Sequence, residues 1–216
     1  MGGHFSHAIT ESKDNGGSTL VIDNHESIKS KEMTELLKVL HSSLPELNSL
    51  SVNRCKMKKL PKEIGKLLRP LQKLVYLQLE HNQIEALPTS LAELKDTLLE
   101  LSLFNNRFTN FHGAIIEKLV ALQSLDLGRN QLNSLDGLAN PSNLCNLKTL
   151  LLQQNSFVIF PTALCNIASL QKLDLGNNSI TTIPSEISNL RQLRELYLKV
   201  KNDEFEIPNF AASQTN

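Results

Sequence analysis

The sequence has little of what several common classes of protein require. It has no tryptophan, and its three cysteines are too few and too scattered for a disulfide framework, with no pair at the C-x-x-C spacing of a zinc site. The 22 Lys and Arg residues balance 22 Asp and Glu residues, which argues against a dedicated nucleic-acid binder but leaves room for a local patch. No apolar run is long enough to cross a membrane, and residues 1–15 lack the apolar core of a signal peptide. These absences favour a protein of a reducing, intracellular compartment with no nucleic-acid partner.

Leucine recurs through the chain at a regular spacing. The pattern L-x-x-L-x-L-x-x-N-x-L occurs in five near-complete copies, which begin at Leu74, Leu98, Leu122, Leu147 and Leu170. A degraded copy begins at Leu47 with Cys55 in the Asn position, and another begins at Leu193 with Lys201 there. A still weaker unit surrounds residues 20–22. An internal repeat of 23 to 27 residues predicts a solenoid in which each coil contacts only its neighbours.

The repeat has a direct mechanical meaning. The L-x-L pair predicts a short strand with both leucines on one face, and the Asn that follows turns the chain. A buried Asn amide can hydrogen-bond backbone groups that the turn would leave without partners, so the sequence predicts a structural ladder. Its members are Asn82, Asn106, Asn130, Asn155 and Asn178. A second apolar stretch then returns the chain, and Pro88, Pro161 and Pro184 suit the start of a short helix there.

These motifs resemble the intracellular leucine-rich-repeat family, in its 23-residue L-P-x-x-L variety found in Ras-group scaffold proteins, over residues 47–198. The resemblance implies an α/β fold: a curved horseshoe with a parallel sheet on the concave face and short helices or 3-10 turns on the convex face. It also implies a non-enzymatic scaffold or regulator of intracellular signalling that binds proteins. Ras-like GTPases and protein phosphatases are the partner classes it suggests. The sequence contains no G-x-S-x-G, P-loop or H-E-x-x-H motif, so no catalytic residue or cofactor is expected.

The sequence also predicts how the chain is divided. We expect a flexible segment over 1–17, a capping unit over 18–46 with a helix about 30–42, a solenoid of about seven repeats over 47–208, and a disordered tail over 209–216. The helix has one apolar face and is expected to cover the open N-terminal end of the core. At the other end, the seventh copy serves as a cap, a partner covers the core, or the product is shorter than a longer relative.

The first six residues, Met1 to Ser6, fit the M-G-x-x-x-[ST] pattern of N-myristoylation at Gly2. One myristoyl chain gives marginal, reversible membrane attachment, and Lys13 alone is not a polybasic segment. The expected location is therefore cytoplasmic, peripheral on the cytosolic face of a membrane if Gly2 is acylated. A competing interpretation is a square-planar Cu(II) or Ni(II) site formed by residues 2–4, which acylation would abolish.

Partner binding is expected on the concave face, where the variable residues between the leucines point away from the core. Exposed apolar groups there are typical of interface anchors, and acidic residues outnumber Arg129, Lys172 and Lys199. The sequence therefore predicts a site for a basic, partly apolar protein epitope. Its candidate residues are Tyr76, Glu80, Glu100, Phe104, Asp126, Leu151, Asp174 and Tyr197. Two alternatives stay open: these are solvated strand residues with no shared partner, or a convex or edge surface binds instead.

Overall fold

The computed structural model describes residues 5–198, which form a single parallel sheet with short helical segments behind it. Eight strands follow one another in the sheet in the order of the chain. They are β1 (Thr19–Asp23), β2 (Ser49–Asn53), β3 (Tyr76–Gln78), β4 (Glu100–Ser102), β5 (Ser124–Asp126), β6 (Thr149–Leu151), β7 (Lys172–Asp174) and β8 (Glu195–Tyr197). Each coil therefore adds one strand beside the previous one, as a solenoid requires.

The register of the sheet stacks the repeated leucines on one another. Leu77 lies opposite Leu101, Leu101 opposite Leu125, and Leu125 opposite Leu150, and all four are buried. Because side chains alternate along a strand, the residues on either side of each leucine point to the opposite, concave face. From β3 onward the strands have only three residues. Such short strands are enough to form the sheet because the leucines at equivalent positions of successive coils stack and bury one another.

The convex side carries the return segments of the coils. They are α2 (Ser30–Ser43), α3 (Ile64–Leu68), a 3-10 helix (Thr89–Leu94), α4 (Gly113–Ile116) and three further 3-10 helices (Pro141–Asn143, Thr162–Asn166, Ser185–Asn189). Pro88, Pro161 and Pro184 each stand directly before a 3-10 helix in extended conformation. Prolines there fix the backbone and forgo an N–H that the helix start does not use.

The five repeat asparagines occupy the turn after each strand and bridge adjacent coils. Asn106 is representative: its Oδ1 accepts the Ile84 N–H of the previous coil at 3.0 Å. Its Nδ2 donates to the Leu79 carbonyl of that coil at 2.9 Å and to its own coil's Leu103 carbonyl at 3.0 Å. Asn82, Asn130, Asn155 and Asn178 make the same set of contacts. Each amide thus satisfies backbone groups of two coils at once.

The residue before each of these asparagines adopts a left-handed backbone, although none is glycine. The five residues are His81, Asn105, Arg129, Gln154 and Asn177, with φ between 54° and 56°. This conformation is uncommon for residues with a side chain and costs roughly 1 kcal/mol each. The ladder hydrogen bonds and the buried leucines on both sides hold the chain in it.

The flexible segment expected over 1–17 instead contains a helix, α1 (Ser6–Asp14), which packs on β1. Phe5 is buried just before it, and Ser12 Oγ donates to the Thr19 carbonyl at 2.6 Å. Phe5, Ala8, Ile9 and Ser12 recur at helical spacing, so α1 turns a narrow, weakly apolar face to the sheet.

The helix expected to cover the N-terminal end has a different place. α2 follows β1 and packs on α3, the return segment of the next coil. It is therefore the convex segment of an additional first coil, whose strand β1 is the weak unit at residues 20–22, and the element against the outer edge of β1 is α1. The expected tail, 209–216, lies outside the described residues.

Replacement of a ladder asparagine should destabilise the fold more than replacement of the cysteine in the equivalent position. Asn106→Ala leaves the buried Ile84 N–H without a partner. The Leu79 and Leu103 carbonyls each lose one amide donor but still accept from Asn82 and Asn130. We expect the variant to lower the free energy of unfolding by about 2 kcal/mol. In the matched variant Cys55→Ala, only weak thiol contacts to the Ile22 and Asn53 carbonyls are lost. Urea unfolding followed by circular dichroism measures both. Equal losses for the two variants would contradict a ladder that stabilises the fold.

Candidate interaction surface on the concave face

The concave face consists of three columns of side chains that run across the strands. The first column follows the N-terminal ends of the strands and contains Tyr76, Glu100, Ser124, Thr149, Lys172 and Glu195. The second contains Gln78, Ser102, Asp126, Leu151, Asp174 and Tyr197. The third continues past the strand ends with Glu80, Phe104, Gly128, Gln153 and Gly176. The eight residues predicted to bind a partner all belong to these columns.

Four carboxylates of the concave face have no cationic partner within residues 5–198: Glu80, Glu100, Asp126 and Asp174. Glu80 accepts only a hydroxyl hydrogen bond, from Ser102 at 2.8 Å. Lys172 is neutralised by Glu195 at 2.9 Å. Arg54 and Lys172 lie close enough to Glu80 and Asp174 to interact electrostatically without forming ion pairs. The described part of the face still holds more carboxylates than cationic side chains.

Asp126 and Asp174 occur in the same local sequence, L-D-L-G, and have the same local geometry. The Gly128 N–H donates to Asp126 Oδ1 and the Gly176 N–H to Asp174 Oδ1, each at 2.8 Å. Each aspartate is therefore oriented by the backbone two residues later. Leu151 lies between the two aspartates in the second column. The repeated L-D-L-G is visible in the sequence and could have indicated this pair.

The carboxyl of Asp126 is hard to ionise. Partial burial, with a smaller contribution from the negative charges of Glu80 and Asp174, raises its pKa from 3.8 to about 6, although the Gly128 N–H bond opposes this shift. The charge of Asp126 therefore responds to mildly acidic pH.

Gln153 is a feature of the face that the sequence analysis missed. Its side-chain amide lies over Gly128, where a Cβ atom would come within 2.5 Å of Gln153 Nε2. Its Oε1 atom is buried and has no hydrogen-bond partner among residues 5–198. The space for this amide exists only because residue 128 has no side chain. Gln153 Oε1 and the nearby carboxylates are all acceptors, which suits a ligand that supplies N–H groups.

The three aromatic candidates do not form one cluster. Phe104 packs edge-on against His81, with ring centroids 5.4 Å apart. Tyr197 lies five strands from Tyr76, a distance of roughly 24 Å at about 4.8 Å per strand. Its hydroxyl donates to Glu195 at 3.1 Å, and Lys172 Nζ lies 5.2 Å from its ring centroid. Tyr76 and Phe104 therefore belong to one end of the face and Tyr197 to the other.

Two of the remaining predicted positions, Gly2 and Lys199, lie outside the described residues. Among residues 5–198, no group of three or more His, Cys, Asp or Glu side chains is arranged to hold a metal ion. In the same part of the chain, no helix has the length and hydropathy needed to cross a membrane.

Comparison with known proteins agrees with this architecture. A family model described as leucine rich repeat matches residues 145–202. The solved structure of a plant peptide hormone receptor, RGFR1 in complex with RGF2, superposes with a TM-score of 0.58 at 28% sequence identity, covering 74% of this chain and 26% of the receptor chain. The chain has the fold of a leucine-rich-repeat solenoid. The predicted fold class is confirmed.

Relatives of this leucine-rich-repeat solenoid differ widely. A Ras guanine nucleotide exchange factor of Dictyostelium discoideum is 32% identical over 62% of this chain and 8% of its own length. An uncharacterized leucine-rich repeat-containing protein of Schizosaccharomyces pombe is 36% identical over 62% and 21%. Lumican of Rattus norvegicus is 36% identical over 44% and 27%. The chain thus spans about a quarter or less of the relatives it matches, so the similarity concerns the repeats.

The raised pKa of Asp126 makes the stability of this leucine-rich-repeat solenoid depend on pH. The unfolded chain loses this proton near pH 3.8 and the folded protein near 6, so stability falls as pH rises between the two and stays lower above. Asp126→Asn removes the buried charge and keeps an acceptor for the Gly128 N–H. With solvent screening allowed for, we expect it to stabilise the fold by about 1–2 kcal/mol at about pH 7.5 and by much less at about pH 4.5.

Urea unfolding at the two pH values measures this difference. Asp136→Asn is the matched control, because Asp136 is an exposed aspartate after the ladder turn of the same coil. A stabilisation of Asp126→Asn that is the same at both pH values, or that Asp136→Asn reproduces, would argue against a buried charge at Asp126.

Proposed function

We propose that this leucine-rich-repeat solenoid is a non-enzymatic scaffold or regulator of intracellular signalling that binds a protein partner on its concave face. The observation that carries the proposal is the set of four carboxylates on that face that form no ion pair within residues 5–198. Leucine-rich-repeat folds are generally protein-interaction modules, and the open sheet offers a broad surface rather than an enclosed pocket.

The partner's chemistry follows from the face. Asp126 and Asp174 flank Leu151, so an apolar contact lies between two negative charges. Gln153 Oε1 adds a buried acceptor beside them. A basic segment with an apolar residue between its Lys or Arg side chains would satisfy all four groups at once.

The class of partner is suggested by resemblance alone. Ras-group scaffolds imply a GTPase or a phosphatase, and one relative carries the name of a Ras guanine nucleotide exchange factor. The plant peptide hormone receptor is described in complex with RGF2. Neither name transfers its partner to this chain, but both make a GTPase and a basic peptide sensible first ligands to test.

Concave-face variants test the proposal once proximity labelling has identified a partner. In one double variant, Asp126→Asn with Asp174→Asn, the fold keeps both glycine N–H acceptors but the face loses two charges. In the other, Tyr76→Ala with Phe104→Ala, the aromatic anchors of one end are removed. We expect each to weaken partner binding by about tenfold or more, and the charge variant to lower the association rate and its salt dependence.

The control is a charge-matched pair outside the concave face, Glu85→Gln with Asp136→Asn, whose carboxylates are exposed and form no ion pair within residues 5–198. It should leave affinity unchanged in surface plasmon resonance. Full binding by both concave variants, with unfolding curves that show an intact fold, would refute the concave face as the binding site.

A second candidate function is a myristoylated peripheral membrane adaptor that uses the same solenoid. The observation in its favour is the pattern Met1 to Ser6, with Gly2 three residues before the buried Phe5. Such an adaptor would hold its partner at the cytosolic face of a membrane.

Co-expression with an N-myristoyltransferase tests this candidate. Intact mass spectrometry should show loss of Met1 and the gain of one myristoyl group, and neither acylation nor vesicle binding that depends on it should occur in Gly2→Ala. An unmodified Gly2 under conditions that acylate a known substrate would exclude the adaptor.

A further inference from the structure

The chain is neutral as a whole, but its charges are not evenly distributed. Residues 54–73 contain eight of its 22 basic residues and a single acidic residue, Glu63. The rest of the chain is correspondingly acidic. This segment runs from the end of β2 through α3, so it forms the outer part of one coil.

The structure divides these eight residues into two groups. Three have acidic partners in neighbouring coils: Arg54 pairs with Asp23, Arg69 with Glu93 and Lys73 with Glu46. The other five are exposed and form no ion pair with any residue in 5–198. We call these five the lysine surface: Lys56, Lys58, Lys59, Lys62 and Lys66.

The backbone beneath the lysine surface is held firmly. Met57, Leu60 and Ile64 alternate with the lysines and are buried in the core, so the lysines have to point outward. Ser90 Oγ donates to the Lys62 carbonyl at 2.6 Å and accepts from the Gly65 N–H at 3.2 Å. The five charges therefore project from a fixed outer turn of the solenoid.

The lysine surface and the concave face are separate. The lysines follow β2 round the strand-end flank to α3 on the convex side, whereas the unpaired carboxylates of the concave face lie on and just after strands β3 to β7. The protein is thus electrically polar, with positive charge outside the second coil and negative charge within the curve. A partner on each surface could bind at the same time.

The composition of the lysine surface indicates what it contacts. The two arginines of the segment, which could grip a phosphate through two parallel hydrogen bonds, are already in ion pairs. Residues 54–73 include no aromatic side chain on which a nucleic-acid base could stack. What remains is a set of flexible point charges on an outer surface, which suits a fluid, diffuse layer of anions.

We propose that the lysine surface binds the anionic headgroups of a membrane. It needs neither the concave-face partner nor acylation of Gly2. Juxtamembrane basic residues contribute about fivefold each to partitioning onto an anionic bilayer, and a lipid chain with a basic patch anchors more stably than either alone. Contact through the lysine surface leaves the concave face open to a protein partner.

The test is sedimentation of the unacylated, full-length chain with phosphatidylcholine vesicles that contain phosphatidylserine, and with phosphatidylcholine vesicles alone. We expect binding to the first that weakens as salt is raised, and none to the second. The triple variant Lys58→Gln, Lys59→Gln, Lys62→Gln should bind about a hundredfold more weakly, at about fivefold per lysine.

The control variant, Lys95→Gln, Lys118→Gln, Lys148→Gln, has the same net charge. Its three lysines are exposed on other coils and form no ion pair with any residue that the structure describes. It should keep wild-type binding. No sedimentation of the wild type with phosphatidylserine, or equal loss in the two triple variants, would overturn the proposal. The proposal would also be overturned if the variant of the lysine surface lost more affinity for duplex DNA or for polyglutamate than for vesicles. That result would assign the lysine surface to a nucleic acid or to an acidic protein.

Discussion

The rest of the structure depends on a buried asparagine amide that joins each coil to the previous one. Its Oδ1 and Nδ2 satisfy backbone groups of both coils, as Asn106 does for Ile84 of the previous coil and Leu103 of its own. Without it, the tight turn after each strand would bury donors and acceptors that water cannot reach. The hydrogen bonds also hold the left-handed residue before each asparagine. A turn fixed in this way sets where every strand starts, and hence which side chains face inward.

This constraint leaves the chain free to vary at the other positions. There, acidic and basic side chains are separated onto different surfaces. The repeat leucines and asparagines occupy the core and the turns, so acidic and basic residues can collect only on the concave face or outside it. Glu80, Asp126 and Asp174 lie inside the curve, and the lysine surface lies outside it. A zero net charge therefore conceals a protein with two oppositely charged surfaces, and composition alone could not reveal them.

Features that repeat could be predicted from the sequence, whereas several features that occur once could not. The strand positions and the concave columns follow from the leucine spacing, because each copy reinforces the others. The helix α1 has no copy to compare with, and its contact face is only Phe5, Ala8, Ile9 and Ser12, too weak for a periodic pattern. The raised pKa of Asp126 depends on burial and on charges two strands away, which no local pattern records. The amide of Gln153 over Gly128 likewise depends on register between coils.

Asp126 connects the stability of the solenoid with the proposed function. Its neighbours in the second column, Ser102 and Leu151, show that the position tolerates a hydroxyl or an apolar side chain, yet this coil has a carboxylate that burial makes hard to ionise. A cation from a partner would offset that penalty and lower the pKa again. Binding near pH 6 would then release a proton from Asp126. The free energy that burial of its charge costs in the free protein would be offset in the complex, which would raise the affinity. The same coupling does not arise at the exposed lysine surface, where charge is solvated before and after contact.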